Sequence, residues 1–361
     1  MSPAVSKGPP LQARITKSRF TVKEISELHE WFRKNQRDFP WRLKKTPYRV
    51  LVSEVMLQQT RSSVVVDYFE KWMDRFPTVQ ALAEAKVEEV IKAWEGLGYY
   101  SRARNLHAAA KQFVKEFGGN VPDAPEELTK IRGLGPYTIG ALLSFGFQKK
   151  AIAIDGNVAR VLARYFLVEE NIDKAAAKKK LSALAEDSLD PKEPWVTSEA
   201  WIELGAVICT PKPQCDLCPL KPGCKGYQTG KALYLPIKSA PPETTILQRA
   251  VFLIENGGEV LVKRGSPKTL MADLYEFPYV ENSSQKFPGK KLSSVKHTFT
   301  RYLARLQPYH IFLQKRNELS SFLQNYGITD AESYKWVSLK EITALPFSSG
   351  HRKILQNLVK P

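Results

Sequence analysis

Cysteine is missing from all but one stretch of this 361-residue chain: Cys209, Cys215, Cys218 and Cys224 fall within a single 16-residue window. A disulfide framework spreads its bridges through a fold, so the clustering argues against one and for a reducing compartment. No apolar run approaches the roughly 20 residues that span a bilayer, which excludes an α-helical membrane protein. The N-terminus has no apolar stretch of the kind a secretory signal needs. It carries Lys7, Arg14, Lys17 and Arg19 with no acid before Glu24, a basic arm over residues 1–20. A frayed arm, a phosphate-contacting arm and a cleaved transit segment all fit that composition. Histidine is scarce, five in all, and none lies near the cysteines to complete a mixed metal site. The H-x-E…P-C-x-x-C signature of the zinc deaminases is absent. No repeat of solenoid length is present.

The length suits two domains, and 43% hydrophobic with 25% charged residues is an ordinary globular balance. Lys and Arg number 54 against 37 Asp and Glu, a net charge of +17. Such an excess points to a polyanionic partner, of which nucleic acid is the commonest, although a basic surface also simply keeps a protein dissolved.

Over residues 21–230 the pattern is helical. Val22, Ile25, Leu28 and Phe32 recur at helical spacing, and Pro47 stands where a first helical turn accepts proline, followed by Tyr48, Leu51, Val52 and Val55. Further helices are expected over Leu82–Trp94, Arg102–Phe117, Tyr137–Phe145 and Val158–Phe166. Residues 231–244, with Pro236, Pro241 and Pro242, form a linker. Over residues 245–361 the period changes. Ile246–Ile254 and Val260–Val262 flank Asn256-Gly257-Gly258, a hairpin signal. Phe299–Leu313 reads as a second strand pair broken at Pro308, and Ser338 with Glu341 has capping-box spacing for a helix after Trp336 and Val337. The expected fold class is multidomain: a helical domain followed by a smaller α+β domain.

Four motifs carry chemistry. The cysteines space as C-x5-C-x2-C-x5-C, and four thiolates so close can surround one metal centre. A structural zinc usually pairs two C-x2-C arms, whereas a four-iron four-sulfur cubane suits this compact loop; the spacing favours the cubane and leaves zinc as the alternative. In Gly133-Leu134-Gly135-Pro136-Tyr137 a Gly-x-Gly turn opens a helix, which is either an ordinary tight turn or a place where amides meet a phosphodiester. Glu54 is the only charged residue between Arg49 and Arg61. It is either a solvated helical carboxylate or one whose pKa burial raises, as a general acid needs. Asp155, before Gly156 and Asn157, is either a helix N-cap or the partner carboxylate for glycosidic-bond cleavage, stabilising a cationic sugar.

Together these segments resemble the helix-hairpin-helix DNA glycosylase superfamily, and within it the adenine DNA glycosylases that act opposite 8-oxoguanine. The resemblance spans about residues 22–361. It rests on Val52-Ser53-Glu54-Val55-Met56-Leu57-Gln58-Gln59-Thr60, Gly96-Leu97-Gly98-Tyr99-Tyr100-Ser101-Arg102, the Gly133–Tyr137 turn, Asp155-Gly156-Asn157 and the cysteine loop. It implies base flipping in duplex DNA containing an adenine:8-oxoguanine mispair. Glu54 would protonate adenine N7, and Asp155 would hold the sugar cation with support from Tyr137 and Asn157. Arg37, Trp41 and Arg42 would wall the adenine pocket. Gln59, Thr60, Leu97 and Tyr99 would wedge the stack and contact the lesion, with Gly133 and Gly135 on phosphate. The cysteines would hold a 4Fe-4S cluster. Members with strand-cleaving activity place a lysine where Tyr137 stands, so efficient β-lyase chemistry is not expected. The last part resembles the family's Nudix-like domain through Leu274-Tyr275-Glu276-Phe277-Pro278, without a phosphohydrolase Nudix box.

Two departures stand out. The usual first cysteine spacer has six residues, and here Thr210–Gln214 has five. The usual Phe-Ser-His that reads 8-oxoguanine is here Phe299-Thr300-Arg301. Thr300 keeps the hydroxyl, while Arg301 puts a permanent cation where an imidazole is usual, a group suited to phosphate. A monomer in a prokaryotic cytoplasm or nucleoid completes the expectation.

Overall fold

The computed structural model describes residues 19–266, 269, 271–281, 285–299 and 301–359. In chain order the helices before the sheet are α1 (Val22–Asn35), α2 (Pro40–Leu43), α3 (Pro47–Leu57), α4 (Ser62–Arg75), α5 (Val79–Glu84), α6 (Val87–Ala93), α7 (Ser101–Phe117), α8 (Pro125–Leu128), α9 (Pro136–Ala141), α10 (Gly156–Phe166), α11 (Ala175–Glu186), α12 (Pro194–Val207) and α13 (Lys225–Gln228). Strands β1 (Thr245–Asn256), β2 (Glu259–Arg264), β3 (Tyr275–Glu276), β4 (Tyr279–Glu281), β5 (Lys290–Lys291), β6 (Val295–Phe299), β7 (Tyr302–Phe312) and β8 (Tyr334–Ser338) follow, with α14 (Glu318–Asn325) and α15 (Ser349–Val359). Among the described residues no helix is long and apolar enough to cross a membrane. The chain forms two compact units, each from separate segments: Met1–Asp38 with Pro136–Ser239, and Phe39–Gly135 with Ala240–Pro361.

In the first unit α1 starts with a capping box, in which Glu24 Oε2 accepts from the Thr21 amide at 2.8 Å and Thr21 Oγ1 accepts from the Glu24 amide at 3.3 Å. Ile25, Leu28 and Phe32 turn into a core with Leu162 and Tyr165 of α10 and Trp201 and Leu204 of α12. Val22 does not join them. It begins the helix on the open side and is 86% exposed.

The second unit carries the sheet, in the order β3-β2-β1-β7-β5, with β8 on β2, β4 on β1 and β6 on β7. The hairpin is as the sequence signals: Asn256 faces Glu259, and Gly257 and Gly258 take φ of 58° and 79°, the left-handed values a two-residue turn needs. β1 pairs in parallel with β7 from Thr245 to Glu255. Its side chains alternate between two cores. Val251 and Leu253 pack with Ile354 and Leu355 of α15, while Ala250, Phe252 and Ile254 pack with Leu323 of α14. Burial on both faces explains the unbroken apolar run in β1.

Three expectations need correction. Phe299–Leu313 is not a strand pair broken at Pro308, because β7 runs straight through that proline. The Leu292 amide donates to the Pro308 carbonyl at 3.0 Å, and the amide that proline cannot return is replaced by Gln307 Nε2, which donates to the Leu292 carbonyl at 2.7 Å. Ser338 and Glu341 do bond one another, but they close only a 3-10 turn over Ile342–Ala344; α15 starts later. The helix expected over Tyr137–Phe145 is not α-helical throughout either. α9 passes into a π-helical turn over Leu142–Gly146, where the Phe147 amide donates to the Leu142 carbonyl at 3.0 Å.

Gly140 in α9 lies against the chain before α10. A Cβ there would stand 1.9 Å from the Ile152 carbonyl oxygen, whereas one at Gly135 would meet nothing within 4 Å. Gly140→Ala should therefore cost about 2–3 kcal/mol and lower the urea unfolding midpoint. Gly135→Ala should stay within about 0.5 kcal/mol of the parent.

Candidate active site and cysteine centre

In the second unit, Thr46 caps α3 and Pro47 fills its first turn, where its missing amide costs nothing. Val50, Leu51, Val52, Val55 and Met56 are buried around Glu54, which is itself only 8% exposed. Two turns flank the end of this helix. The first carries Gln59 at φ 58°, and the second carries Gly96, Gly98 and Tyr99 at 104°, 72° and 47°. Gln59 and Tyr99 are exposed, Thr60 is half-buried, and Leu97 is buried. A non-glycine residue in the left-handed region costs about 1 kcal/mol or more, so something must hold both turns.

That group is Arg102, at the start of α7 and 8% exposed. Its Nη1 donates to the carbonyls of Val55 (2.8 Å), Met56 (2.9 Å) and Gln58 (2.6 Å). Its Nη2 donates to Thr60 Oγ1 (3.2 Å) and to the carbonyls of Leu97 (3.2 Å) and Gly98 (3.1 Å). The guanidinium also lies over the rings of Trp94 and Tyr99, at 5.2 and 5.7 Å. Burial pulls its pKa down to about 10, which still leaves it charged at neutral pH. Hydrogen bonds from a charged donor contribute roughly 1.5–3 kcal/mol each, enough to outweigh the strain in the two turns. Trp41 is buried, stacked on Phe39 at 4.5 Å and edge-on to Phe69 at 5.6 Å, and Arg42 lies over Phe39 at 5.3 Å.

In the first unit, Asp155 is the N-cap of α10. Its Oδ1 accepts from the amides of Asn157 and Val158, both at 2.8 Å, and its Oδ2 accepts from Asn157 Nδ2 at 2.7 Å. Burial nonetheless raises its pKa, the hydrogen bonds opposing only in part. Asn157 Oδ1 in turn accepts from Arg160 Nη2 at 2.8 Å, and Arg160 Nε reaches the Cys209 carbonyl at 2.7 Å. The Asp155 cap is thereby tied to the cysteine loop. Arg37 donates through Nε to the fully buried Glu203 at 2.5 Å. Tyr137 is the second residue of α9 and half-buried.

The four cysteines are unbridged and line one cavity, together with Arg164, Leu204 and Leu220. Arg164 holds the five-residue spacer. Its guanidinium donates to the carbonyls of Cys209, Thr210, Pro211 and Leu235 at 2.7–3.2 Å and to Cys209 Sγ at 3.3 Å. Burial, then the neighbouring cysteines, pushes the thiols of Cys215 and Cys224 up, and Cys218 reaches about 12. Among the described residues no group of three or more His, Cys, Asp or Glu converges to hold a single ion. Four sulfurs lining one cavity form a donor set that fits a metal centre held through thiolates.

Within the second unit the sheet meets the turn at Gly96–Tyr99. Glu95 accepts from the Phe347 amide (3.0 Å), Arg352 Nε (2.7 Å) and Lys92 Nζ (2.7 Å), and Arg104 pairs with Asp273 at 3.7 Å. Beside them Tyr99, Ser101, Phe299 and Ser349 line a cleft of about 560 Å³. Arg301 donates to Tyr302 Oη at 3.3 Å, and Thr300 lies outside the described residues.

The family model of the HhH-GPD superfamily base excision DNA repair protein matches residues 52–187, and that of a NUDIX domain matches residues 250–357. The adenine DNA glycosylase of Buchnera aphidicola subsp. Baizongia pistaciae is 31% identical over 314 residues, 83% of this chain and 87% of that one. The chain belongs to the adenine DNA glycosylase family. The human adenine DNA glycosylase is 41% identical over 235 residues, 60% of this chain. The rat enzyme is 42% identical over 211 residues, 56% of this chain. These matches span 43% and 41% of the mammalian proteins, less than half their length. A solved thermostable thymine-DNA glycosylase superposes with a TM-score of 0.52 at 26% identity, covering 57% of this chain and 95% of that one. The helical HhH-GPD fold and the Nudix-like sheet of the family are both present.

Arg102 stands inside a family motif that by itself gives it no role, and Arg160 and Arg164 lie outside the quoted motifs. A charge inside an apolar helical run, as at Arg164, was the available signal. For Arg102 the expected outcome is graded. Arg102→Gln should cost about 3 kcal/mol in urea unfolding, because several buried carbonyls lose their donor. Arg102→Lys should cost less, since an ammonium still offers three donors. An unchanged midpoint for Arg102→Gln would contradict the clamp.

Proposed function

We propose that this family member hydrolyses the N-glycosidic bond of adenine mispaired with 8-oxoguanine in duplex DNA, after flipping the adenine out of the stack. The observation that carries the reading is Glu54, a carboxylate kept 8% exposed on an apolar helix, inside the segment matched by the base-excision family. Its proton goes to adenine N7, so the base departs neutral as the C1′–N9 bond breaks. The Asp155 carboxylate, oriented by its Asn157 bond, stabilises the sugar cation; Tyr137 supports it. Water then adds its oxygen to C1′, and its proton returns to a carboxylate. Arg37, Trp41 and Arg42 wall the adenine pocket. Gln59, Thr60, Leu97 and Tyr99 act in the stack, Gly133 and Gly135 on the backbone, and Phe299, Thr300 and Arg301 on the lesion side. Tyr137 has no amine for a Schiff base, so the chain acts as a glycosylase without efficient strand cleavage.

Glu54→Gln should slow single-turnover adenine release from an adenine:8-oxoguanine duplex about a thousandfold while leaving duplex affinity intact. Release at the parent rate would remove Glu54 from the chemistry, and release of thymine instead from a guanine:thymine duplex would redirect the substrate.

We further propose that Cys209, Cys215, Cys218 and Cys224 hold a 4Fe-4S cluster. When bound it supplies a cross-link for a loop with little core of its own. Purified protein should be brown, with about four iron and four inorganic sulfide per chain. A colourless preparation with stoichiometric zinc would overturn the assignment.

A further inference from the structure

We infer that Glu95 is a positioning residue for the turn at Gly96–Tyr99, and that through it the Nudix-like part backs the entry of Leu97 and Tyr99 into the DNA stack. The inference rests on the reading above, which places those two side chains in the stack. Both ends of the turn stand on a single residue, Phe347. At the start the Glu95 carboxylate accepts from the Phe347 amide at 3.0 Å. At the end Tyr100 Oη donates to the Phe347 carbonyl at 3.4 Å and accepts from the Gly96 amide at 3.3 Å. Phe347 is itself well fixed. Its ring is fully buried and stacked on Phe277 at 5.3 Å, and the Pro346 carbonyl before it accepts from the Tyr275 amide of β3 at 2.8 Å.

Arg352 of α15 adds a second hold. Its Nε and Nη2 reach the Glu95 carboxylate at 2.7 and 3.1 Å, and its guanidinium lies over the Phe347 ring at 5.1 Å. A two-pronged pair of this kind fixes direction as well as distance. Among the described residues the helical side offers that carboxylate one donor, Lys92 Nζ, which also donates to the Thr343 carbonyl at 2.9 Å. Arg102 grips the Leu97 and Gly98 carbonyls from the opposite direction. A side chain driven between bases works against stacking, a cost of a few kcal/mol per step, so the turn that carries it needs a rigid support. Phe347 and Arg352 supply that support, and Glu95 transmits it.

The test uses a duplex with a 2′-fluoro adenosine, which binds but resists cleavage, opposite 8-oxoguanine, and 2-aminopurine beside the 8-oxoguanine. The fluorescence of 2-aminopurine rises when it unstacks. Parent, Glu95→Ala, Arg352→Ala, the double variant, Arg352→Lys and Tyr99→Ala are compared at saturating protein. The rise should fall severalfold in both single alanine variants, and the double variant should be no worse than Glu95→Ala, because the two residues act through one another. Arg352→Lys keeps the charge and should retain most of the rise. On a cleavable duplex, single-turnover adenine release by Glu95→Ala should fall about tenfold, the value of one charge-assisted hydrogen bond, with affinity within about threefold of the parent. A bound Glu95→Ala protein that unfolds at lower urea yet gives the full rise would show a merely structural role and overturn the inference. Additive losses in the double variant would overturn it too. If Tyr99→Ala alone loses the rise, the wedge reading stands without Glu95; a full rise in Tyr99→Ala removes the wedge reading and the inference together.

Discussion

The second unit depends on one buried cation. Six hydrogen bonds leave the two terminal nitrogens of Arg102, five of them to main-chain carbonyls from two separate turns and the end of α3. Gln59 and Tyr99 hold left-handed backbone without being glycine, and their turns share the same guanidinium. The helix bearing Glu54 and the two exposed turns beside it are thus one rigid body. Through Glu95, next to the second turn, the Nudix-like part joins that body as well, since Phe347 and Arg352 both bond its carboxylate.

The first unit repeats the device with Arg164, whose acceptors are carbonyls of the cysteine loop and of the chain beyond it. The short first spacer is accommodated in this way: its carbonyls turn inward to a fixed cation instead of outward to water. Arg160 extends the arrangement to Asn157 and the Asp155 cap. Part of the chain's positive charge therefore works as internal scaffold. Only the remainder is open to a polyanion, which matters when a net +17 is taken as a measure of grip.

What the sequence made legible was local. Pro47 at a helix start and Asn256-Gly257-Gly258 each carry their structural reason within four residues, and both stand as read. Glu54 could be singled out because a lone charge in an apolar run is visible in letters. The arginine clamps were less legible: Arg164 shows as a charge in an apolar run, but the partners of both clamps are carbonyls, which every residue has and no letter marks. Ser338 and Glu341 misled because a cap closes a turn whether or not a long helix follows. Pro308 misled because the remedy for its missing amide sits on the neighbouring side chain.

That remedy makes two adjacent positions one unit of inheritance. While residue 308 is proline, the Leu292 carbonyl depends on the Gln307 amide, and any change at 307 strips a strand of a bond. Once 308 regains an N–H, position 307 is released from that duty. Drift through this part of β7 is therefore ordered: the proline must go before the glutamine can.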